Sequence, residues 1–479
     1  STRPPLAAFF MGERFCCILR PQSLLPSDSQ ARQQVTITFM PHTAYSLFHA
    51  RPHLLAATVA AAMLAGCATR PEPQATPKPA AAQSSGNSGS NTRSESEAPA
   101  ESPIQASSFA HWKQEFAPRA SAAGISERTL RSALASAKLQ PSIIKLDRSQ
   151  PEFTRTPWQY LDSAVSAQRI KTGKLKMQEY ASALQVASRR YGVPAQVITA
   201  IWGMESNYGS NFGSFSAVDA LATLAFDGRR AEWAQKELIA ALRIIDNGDI
   251  DAAHMIGSWA GAMGNTQFLP SVFLQYAVDA DGDGRRDIWG SMADVAASTA
   301  NYLASSGWTA NEPWGAEVRL PAHFDYARTE LSIRQNSSAW SAEGVQSMSG
   351  QPLPAMAGAS IIAPAGARGP AFMVGSNFRA ILRYNNSTNY ALGISLLSSQ
   401  LAGNGGVVAE WPRDLSALTR EQTKAMQTAL TQRGFATGSA DGVMGPATRA
   451  GLRQYQQSQG LVADGYPTLE LLQRLQANN

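Results

Sequence analysis

From Phe109 to Leu401, apolar residues recur mostly every three to four positions, the pattern of helices that bury one face. Phe109, Trp112 and Phe116 open it, and the same period predicts helices over 126–137, 158–172, 174–191, 194–206, 217–225, 231–245, 270–278 and 293–305. The period is lost between Glu317 and Phe372. Short runs there, 360–363 and 371–374, are set off by Pro and Gly and read as a small β element. Helix returns over 378–382 and 390–401. After a Gly-rich stretch, 401–411, three short helices are predicted over 419–433, 446–459 and 467–475, with Pro446 and Pro467 at helix starts. The expected fold class is mainly α. A larger α+β domain covers 107–406, a linker 407–413 and a small three-helix domain 414–479.

The N-terminal part follows another pattern. Residues 1–39 have no clear period and are expected to be an extension that is either foreign to the native protein or a misassigned start, with Met40 the better beginning. Arg51 and nearby histidines precede an apolar run, 54–64, which ends in Leu64-Ala65-Gly66-Cys67. A basic start, a short apolar run and small residues before a cut describe a secretory signal over 40–67. The run is shorter than the roughly 20 residues a membrane-spanning helix needs. Residues 68–106 are rich in Pro, Ala, Ser, Gly and Asn, cannot bury a core and read as a disordered tether.

Composition removes several function classes. Cys16, Cys17 and Cys67 are the chain's three cysteines, so the folded part carries neither a disulfide nor a thiolate metal site. The net charge of +5 is spread without a dense Lys/Arg run, and nucleic acid is not expected as a partner. No glycine-rich phosphate loop is present.

Candidate chemistry centres on Ile201–Gly209, reading Ile-Trp-Gly-Met-Glu-Ser-Asn-Tyr-Gly. Pro194 fits the first turn of the helix that leads into it, and Gly209 is the expected stop. Glu205 lies four residues after Ile201 and eight after Val197, on the face the helix should bury. Burial raises a carboxylate pKa because the charged form loses solvation. An acid that keeps its proton near neutral pH can give it to a leaving oxygen. An ion pair or a cap on a neighbouring turn would explain the same carboxylate, and the helix pattern does not choose between these readings.

Three other stretches add to the picture. Ser258–Ser271 holds glycines that permit close backbone approach, and Gln267, which can donate and accept. Arg383–Tyr390 is rich in Tyr and Asn; it suits a polyhydroxylated ligand, or is simply a turn. Asp279, Asp281, Asp283 and Asp287 occupy positions 1, 3, 5 and 9 of an EF-hand-like loop, with Gly284 at position 6 and the Arg285 carbonyl available at position 7. Gly290 stands at position 12 in place of a bidentate Glu, and Asp294 from the next helix could supply that ligand. Such a Ca²⁺ would staple a loop and take no part in catalysis. The alternative is an Asp-Gly turn without metal.

These motifs, in order and spacing, resemble the membrane-bound lytic murein transglycosylase B family. The C-terminal Asp441-Gly442-Val443-Met444-Gly445-Pro446 resembles the three-helix peptidoglycan-binding domain. The resemblance implies a lysozyme-like catalytic domain that cleaves the MurNAc–GlcNAc β-1,4 bond of peptidoglycan without water, leaving 1,6-anhydro-MurNAc ends. It implies Glu205 as the single acid and base. The next acids, Asp219 and Asp227, stand outside any comparable motif. It implies substrate contacts from Ser258, Gln267, Tyr384, Asn385, Tyr390, Tyr302 and Tyr160, and no catalytic cofactor. A structural Ca²⁺ on Asp279, Asp281, Asp283, Arg285 and Asp294 is also implied. Leu-Ala-Gly-Cys resembles a lipobox, which would make Cys67 a lipid anchor on the periplasmic face of the outer membrane; an ordinary signal peptide is the alternative. Expected partners are glycan strands, the membrane and other cell-wall enzymes, with a monomeric protein. Asn265-Thr266 departs from the family, which often has Gln or Tyr before its Gln-Phe.

Three rivals remain at this level. Lysozyme-type hydrolysis would need only water in place of the C6 hydroxyl. An inactive wall-binding lipoprotein would have no use for a buried acid. A Ca²⁺ sensor usually pairs its EF-hands, and a single loop is present.

Overall fold

The computed structural model describes residues 103–148 and 155–477. The extension, the leader with Cys67 and most of the 68–106 tether lie outside the described residues. The first helix, Pro103–Ala122, begins within the stretch expected to be tether.

The helix Ala195–Ser206 lies at the centre. Every residue from Val197 to Met204 is buried, as a segment that is apolar on all sides requires. Four helices surround it: Ala167–Glu179, Ala181–Tyr191, Met292–Ser305 and Thr388–Leu401. Gly393 on the last of these packs against Ala164, where a Cβ would lie 3.3 Å from the Ala164 Cβ. A further pair, Ala217–Asp227 and Ala231–Asp246, packs alongside.

Several expected boundaries are corrected. The helices expected over 158–172 and 174–191 are three, Pro157–Ala164, Ala167–Glu179 and Ala181–Tyr191. Ser166 leaves helical geometry to cap the second, its hydroxyl accepting from Arg169 N, and Tyr180 divides the second from the third. The helix expected over 126–137 is one α turn, Glu127–Thr129, continued by a π turn, Leu130–Leu134. Pro194 is the N-cap of its helix and lies before the first turn. That helix stops at left-handed Asn207, two residues before Gly209. Short helices at Pro141–Arg148 and Ser337–Ala342 escaped the apolar period.

The β element is a four-stranded antiparallel sheet. In chain order β1 is Phe215–Ser216, β2 Ile256–Gly257, β3 Gly315–Arg319, β4 Gln346–Ser347, β5 Ser360–Ile362 and β6 Ala371–Val374. β1 and β2 form their own two-stranded ribbon, with Phe215 opposite Gly257. The larger sheet runs β4-β3-β6-β5. Strands β5 and β6 are buried on both faces, and alternation divides them between two cores. Ile362, Phe372 and Val374 join the helical core. Ile361, Ala371 and Met373 face a separate core with Val318 and Trp340.

The C-terminal helices Arg420–Gln432, Pro446–Ser458 and Leu469–Ala477 enclose Met426, Leu430, Leu452, Tyr455 and Leu475. Buried Gln427 fixes the turn before the second helix. Its Nε2 donates to Asp441 Oδ1, Val443 O and Thr448 Oγ1, and its Oε1 accepts from Gly442 N. The unit is docked on the sheet domain, where Glu330 receives Arg449 and Arg453. The connecting stretch is held as well: Glu317 accepts from Val408 N and Ala409 N, 2.7 Å each. Among the described residues no helix is long and apolar enough to cross a membrane.

Candidate active site

Glu205 sits half-buried in the last turn of the central helix. Helix ends leave carbonyls unpaired and fray unless closed. This one is closed by Asn207 and Tyr208, both left-handed, at φ 50° and 60°. Such residues cost about 1–3 kcal/mol each and persist only where their surroundings enforce them. Tyr208 supplies the enforcement. Its ring lies against Gly203, where a Cβ would come within 2.5 Å of it, and its hydroxyl donates to Arg169 O at 2.8 Å. Ser206 Oγ donates to Trp202 O and accepts from Gly209 N. Thus Ser206, Tyr208 and Gly209 serve as a clasp that fixes the turn carrying Glu205.

The carboxylate meets Tyr390 at short range; the Tyr390 hydroxyl donates to Glu205 Oε1 at 2.5 Å. Tyr390 is fully buried in the first turn of Thr388–Leu401, behind the Ser387 cap. Burial first, and then the charge of Glu205, push its phenol pKa well above the ordinary value, so it stays a proton donor at every working pH. The Tyr160 phenol is raised by the same two causes in the same order.

Next to Tyr390 stands an aromatic group. Tyr384 and Tyr302 are 4.8 Å apart at their ring centres, and Phe268 lies 5.7 Å from each. Their hydroxyls hold backbone: Tyr384 donates to Thr266 O and Tyr302 to Arg383 O. Asn385 Oδ1 and Thr266 Oγ1 are buried without a hydrogen-bond partner. Buried acceptors of this kind are uncommon in native proteins and point to an absent donor.

The 258–271 segment is tightly self-bonded. Ser258 Oγ accepts from Ala260 N and Ala262 N. Gln267 is left-handed at φ 50°, and its Nε2 donates to Phe212 O and Gly264 O, 2.9 Å each. Asp219 accepts from Lys138 N, and Asp227 is paired with Arg148. The two carboxylates nearest in sequence are therefore engaged elsewhere.

Two residues outside the expected set shape the site. Arg169 is half-buried, donates to Ser163 O and Ala164 O, and has its guanidinium pKa lowered by burial. Asn265 is buried and joins Trp202 to the segment after the Asp-rich loop. Its side chain gave no periodic signal; only its departure from the family pattern marked it.

In the Asp-rich loop, carboxylate oxygens of Asp279, Asp281 and Asp294 lie within 4.8 Å of one another. Asp294 is fully buried; burial raises its pKa to about 6 against the amides of Ala280 and Asp287, and the Asp281 charge adds to the rise. Three carboxylates this close are a hard-cation donor set. Asp283 is not part of that group; its Oδ1 accepts from Arg285 N. At position 12, a Cβ on Gly290 would lie 2.9 Å from Asp287 Oδ2.

Comparisons with known proteins bear on the family of the chain. Residues 108–399 match the transglycosylase SLT domain, and 419–475 match a peptidoglycan binding domain. Membrane-bound lytic murein transglycosylase B of Escherichia coli is 33% identical over 292 residues, 58% of this chain and 79% of that protein. The structure of SltB3 from Pseudomonas aeruginosa with NAG-anhNAM-pentapeptide superposes with a TM-score of 0.75 at 50% identity, covering 77% of this chain and 99% of that one. The E. coli lytic transglycosylase Slt35 in complex with calcium gives 0.53 at 31% identity, covering 61% of this chain and 92% of that one.

Proposed function

The chain belongs to the transglycosylase SLT family and is a peptidoglycan lytic transglycosylase, and on that premise we propose that Glu205 alone is its acid and base. The observation that carries this is the Tyr390 hydroxyl on Glu205 Oε1 in a half-buried, clasped helix end. Protonated Glu205 gives its proton to the glycosidic oxygen as the MurNAc C1–O bond breaks. The resulting carboxylate takes the proton of the MurNAc C6 hydroxyl, whose oxygen closes onto C1. Proton and bond counts balance, water is not consumed, and Glu205 returns to its starting state. A hydrolytic glycosidase uses a second carboxylate as nucleophile or base; here the C6 hydroxyl takes that place.

Tyr390 holds one carboxylate oxygen in place through both halves of the cycle, because its phenol does not give up its proton. Asn385 is the proposed amide contact to sugar hydroxyl or acetamido groups. Tyr160 faces the same carboxylate. Tyr384 and Tyr302 shape the wall through the carbonyls they hold, while Ser258 and Gln267 fix the loop opposite. Asp279, Asp281 and Asp294 would hold a Ca²⁺ that neutralises their mutual repulsion, with Asp283 and the Arg285 carbonyl as further oxygen donors. Cys67 is the proposed lipid anchor, placing the enzyme at the periplasmic face of the outer membrane. The membrane-bound E. coli relative supports that reading.

The test is mass spectrometry of muropeptides released from purified peptidoglycan by the full chain and by Glu205→Gln. Products about 18 Da lighter than the hydrolytic ones, and none from the variant, are expected. Reducing-end products would make the enzyme a hydrolase, and full activity in Glu205→Gln would remove the assignment.

A further inference from the structure

Between the Asp-rich loop and Glu205 runs a continuous set of buried or half-buried hydrogen bonds. Asp294 Oδ2 accepts from Asp287 N at 2.7 Å, and Asp287 Oδ1 accepts from Trp289 N at 2.8 Å. Trp289 O accepts from Asn265 Nδ2 at 2.8 Å. Ile288 O accepts from the same Nδ2 at 3.2 Å and from Asn265 N at 2.9 Å. Asn265 Oδ1 accepts from Trp202 Nε1 at 2.8 Å. Trp202 stands three residues before Glu205, and its carbonyl receives Ser206 Oγ and Tyr208 N, both from the clasp.

The orientation of the Asn265 amide is forced. An indole N–H only donates and carbonyls only accept, so Oδ1 must face Trp202 and Nδ2 must face residues 288 and 289. Gly209 is cut to fit: a Cβ there would lie 2.6 Å from Asn265 Oδ1. Trp202 is itself confined edge-on between Tyr180 and Tyr208, at 5.6 Å from each ring centre. A shift of the loop exit at Ile288–Trp289 therefore has a short, stiff route to the turn that carries Glu205.

We propose that Asn265 is a positioning residue that couples cation binding at Asp279, Asp281 and Asp294 to the placement of Glu205. The proposal rests on the reading of Glu205 as the acid and base. Without a cation the three carboxylates repel and the loop relaxes. Asn265 passes that relaxation to Trp202 and the last helical turn. Proton transfer to a glycosidic oxygen is sensitive to sub-ångström placement, whereas binding of a long glycan is not, so the effect falls on kcat and spares KM.

The experiment uses the full chain with ¹⁵N-labelled tryptophan and Ca²⁺ alone as titrant. The Trp202 indole resonance is identified by its loss in Trp202→Phe, which removes the donor while keeping an aromatic ring at this buried position. In the wild type this resonance should shift on Ca²⁺ addition, and kcat for muropeptide release should fall about tenfold on chelation with KM unchanged. Trp202→Phe should bind Ca²⁺ as tightly as the wild type by calorimetry, yet show a low kcat that no longer responds to Ca²⁺. Asn265→Ala, if it folds, should leave the indole resonance indifferent to Ca²⁺. The proposal is overturned if Ca²⁺ does not bind, if the wild-type resonance does not move, or if Trp202→Phe keeps the wild-type response of kcat. Should Glu205→Gln stay active while the resonance still shifts, the fault lies in the Glu205 assignment and not in the coupling.

Discussion

Glu205 and Asp294 are two carboxylates removed from bulk water and provided for in opposite ways. Glu205 faces a neutral phenol, Tyr390, that cannot lose its proton, and the two nearest acids in sequence are occupied elsewhere. Asp294 is held by two backbone amides and lies beside Asp279 and Asp281. A group that must gain and lose a proton in each cycle needs a neighbour indifferent to its charge. A group that must stay charged needs fixed donors and a cation to share with other carboxylates. With Glu205 as the proposed acid and base, the contrast is one between a chemical site and a structural one.

The largest effect expected from this contrast is at Glu205. Glu205→Gln keeps the shape and removes the proton, and general acid–base catalysis contributes roughly 10²- to 10⁴-fold. Turnover of purified peptidoglycan should fall by at least about 10³-fold while binding to the insoluble polymer is kept. Residual activity within tenfold of wild type would make the carboxylate a structural one, like Asp294.

Tyr390→Phe comes next. A hydrogen bond to a charged group contributes about 1.5–3 kcal/mol, so losing it at the reacting carboxylate should lower kcat by roughly 10- to 100-fold. Because the phenol is buried and the ring stays, the melting temperature should move little. A variant with full kcat but a much lower melting temperature would reverse the roles assigned to the two carboxylates.

How much of this contrast could be read from sequence differs between the two sites. The Asp-rich loop is local: its spacing over nine residues displays the donors, and only the contribution of Asp283 relative to Asp294 depended on the fold. The helix bearing Glu205 was legible because apolar residues surround it. The family resemblance implied Tyr390 as a substrate contact; its bond to Glu205, across 185 residues of chain, was not legible. The clasp was not legible: Tyr208 and Ser206 follow the carboxylate in sequence, and only the fold shows them bonded beneath and beside the turn. Gly209 read as the helix stop because glycine is the cheapest left-handed residue. The strained Asn207 and Tyr208 are affordable only because Gly203 opens room for the Tyr208 ring. Breaks at Ser166 and Tyr180 were hidden because the apolar period continues across them.

Asp294→Ala should act on stability first. It leaves the Ala280 and Asp287 amides without their acceptor, at about 1–3 kcal/mol, or several degrees in melting temperature. Ca²⁺ at 100 times its Kd should stabilise the wild type by about 2.7 kcal/mol and the variant by much less. Equal Ca²⁺ stabilisation in both would mean the cation binds without Asp294.

The smallest effect concerns docking of the C-terminal domain. Burial raises the pKa of Glu330, but Arg449 and Arg453 outweigh it, and the net shift is downward from 4.5. A carboxylate with a depressed pKa stabilises the docked form above its free value, and that contribution is lost as pH falls through the docked value. The pair is partly solvated, so its worth is on the order of 1 kcal/mol. Glu330→Gln should therefore raise protease sensitivity of the 401–413 stretch about fivefold at pH 7. The wild type should approach the variant only as pH falls through the depressed Glu330 pKa, and 1 M salt should narrow the gap, since it shortens screening to about 3 Å. Glu317, which accepts from Val408 N and Ala409 N, is untouched by the substitution, so cleavage should remain slow in absolute terms. If variant and wild type are cut at the same rate at pH 7, the domain is held by its other contacts, such as Ala367 N on the Asp464 carboxylate, and not by the Glu330 pairs.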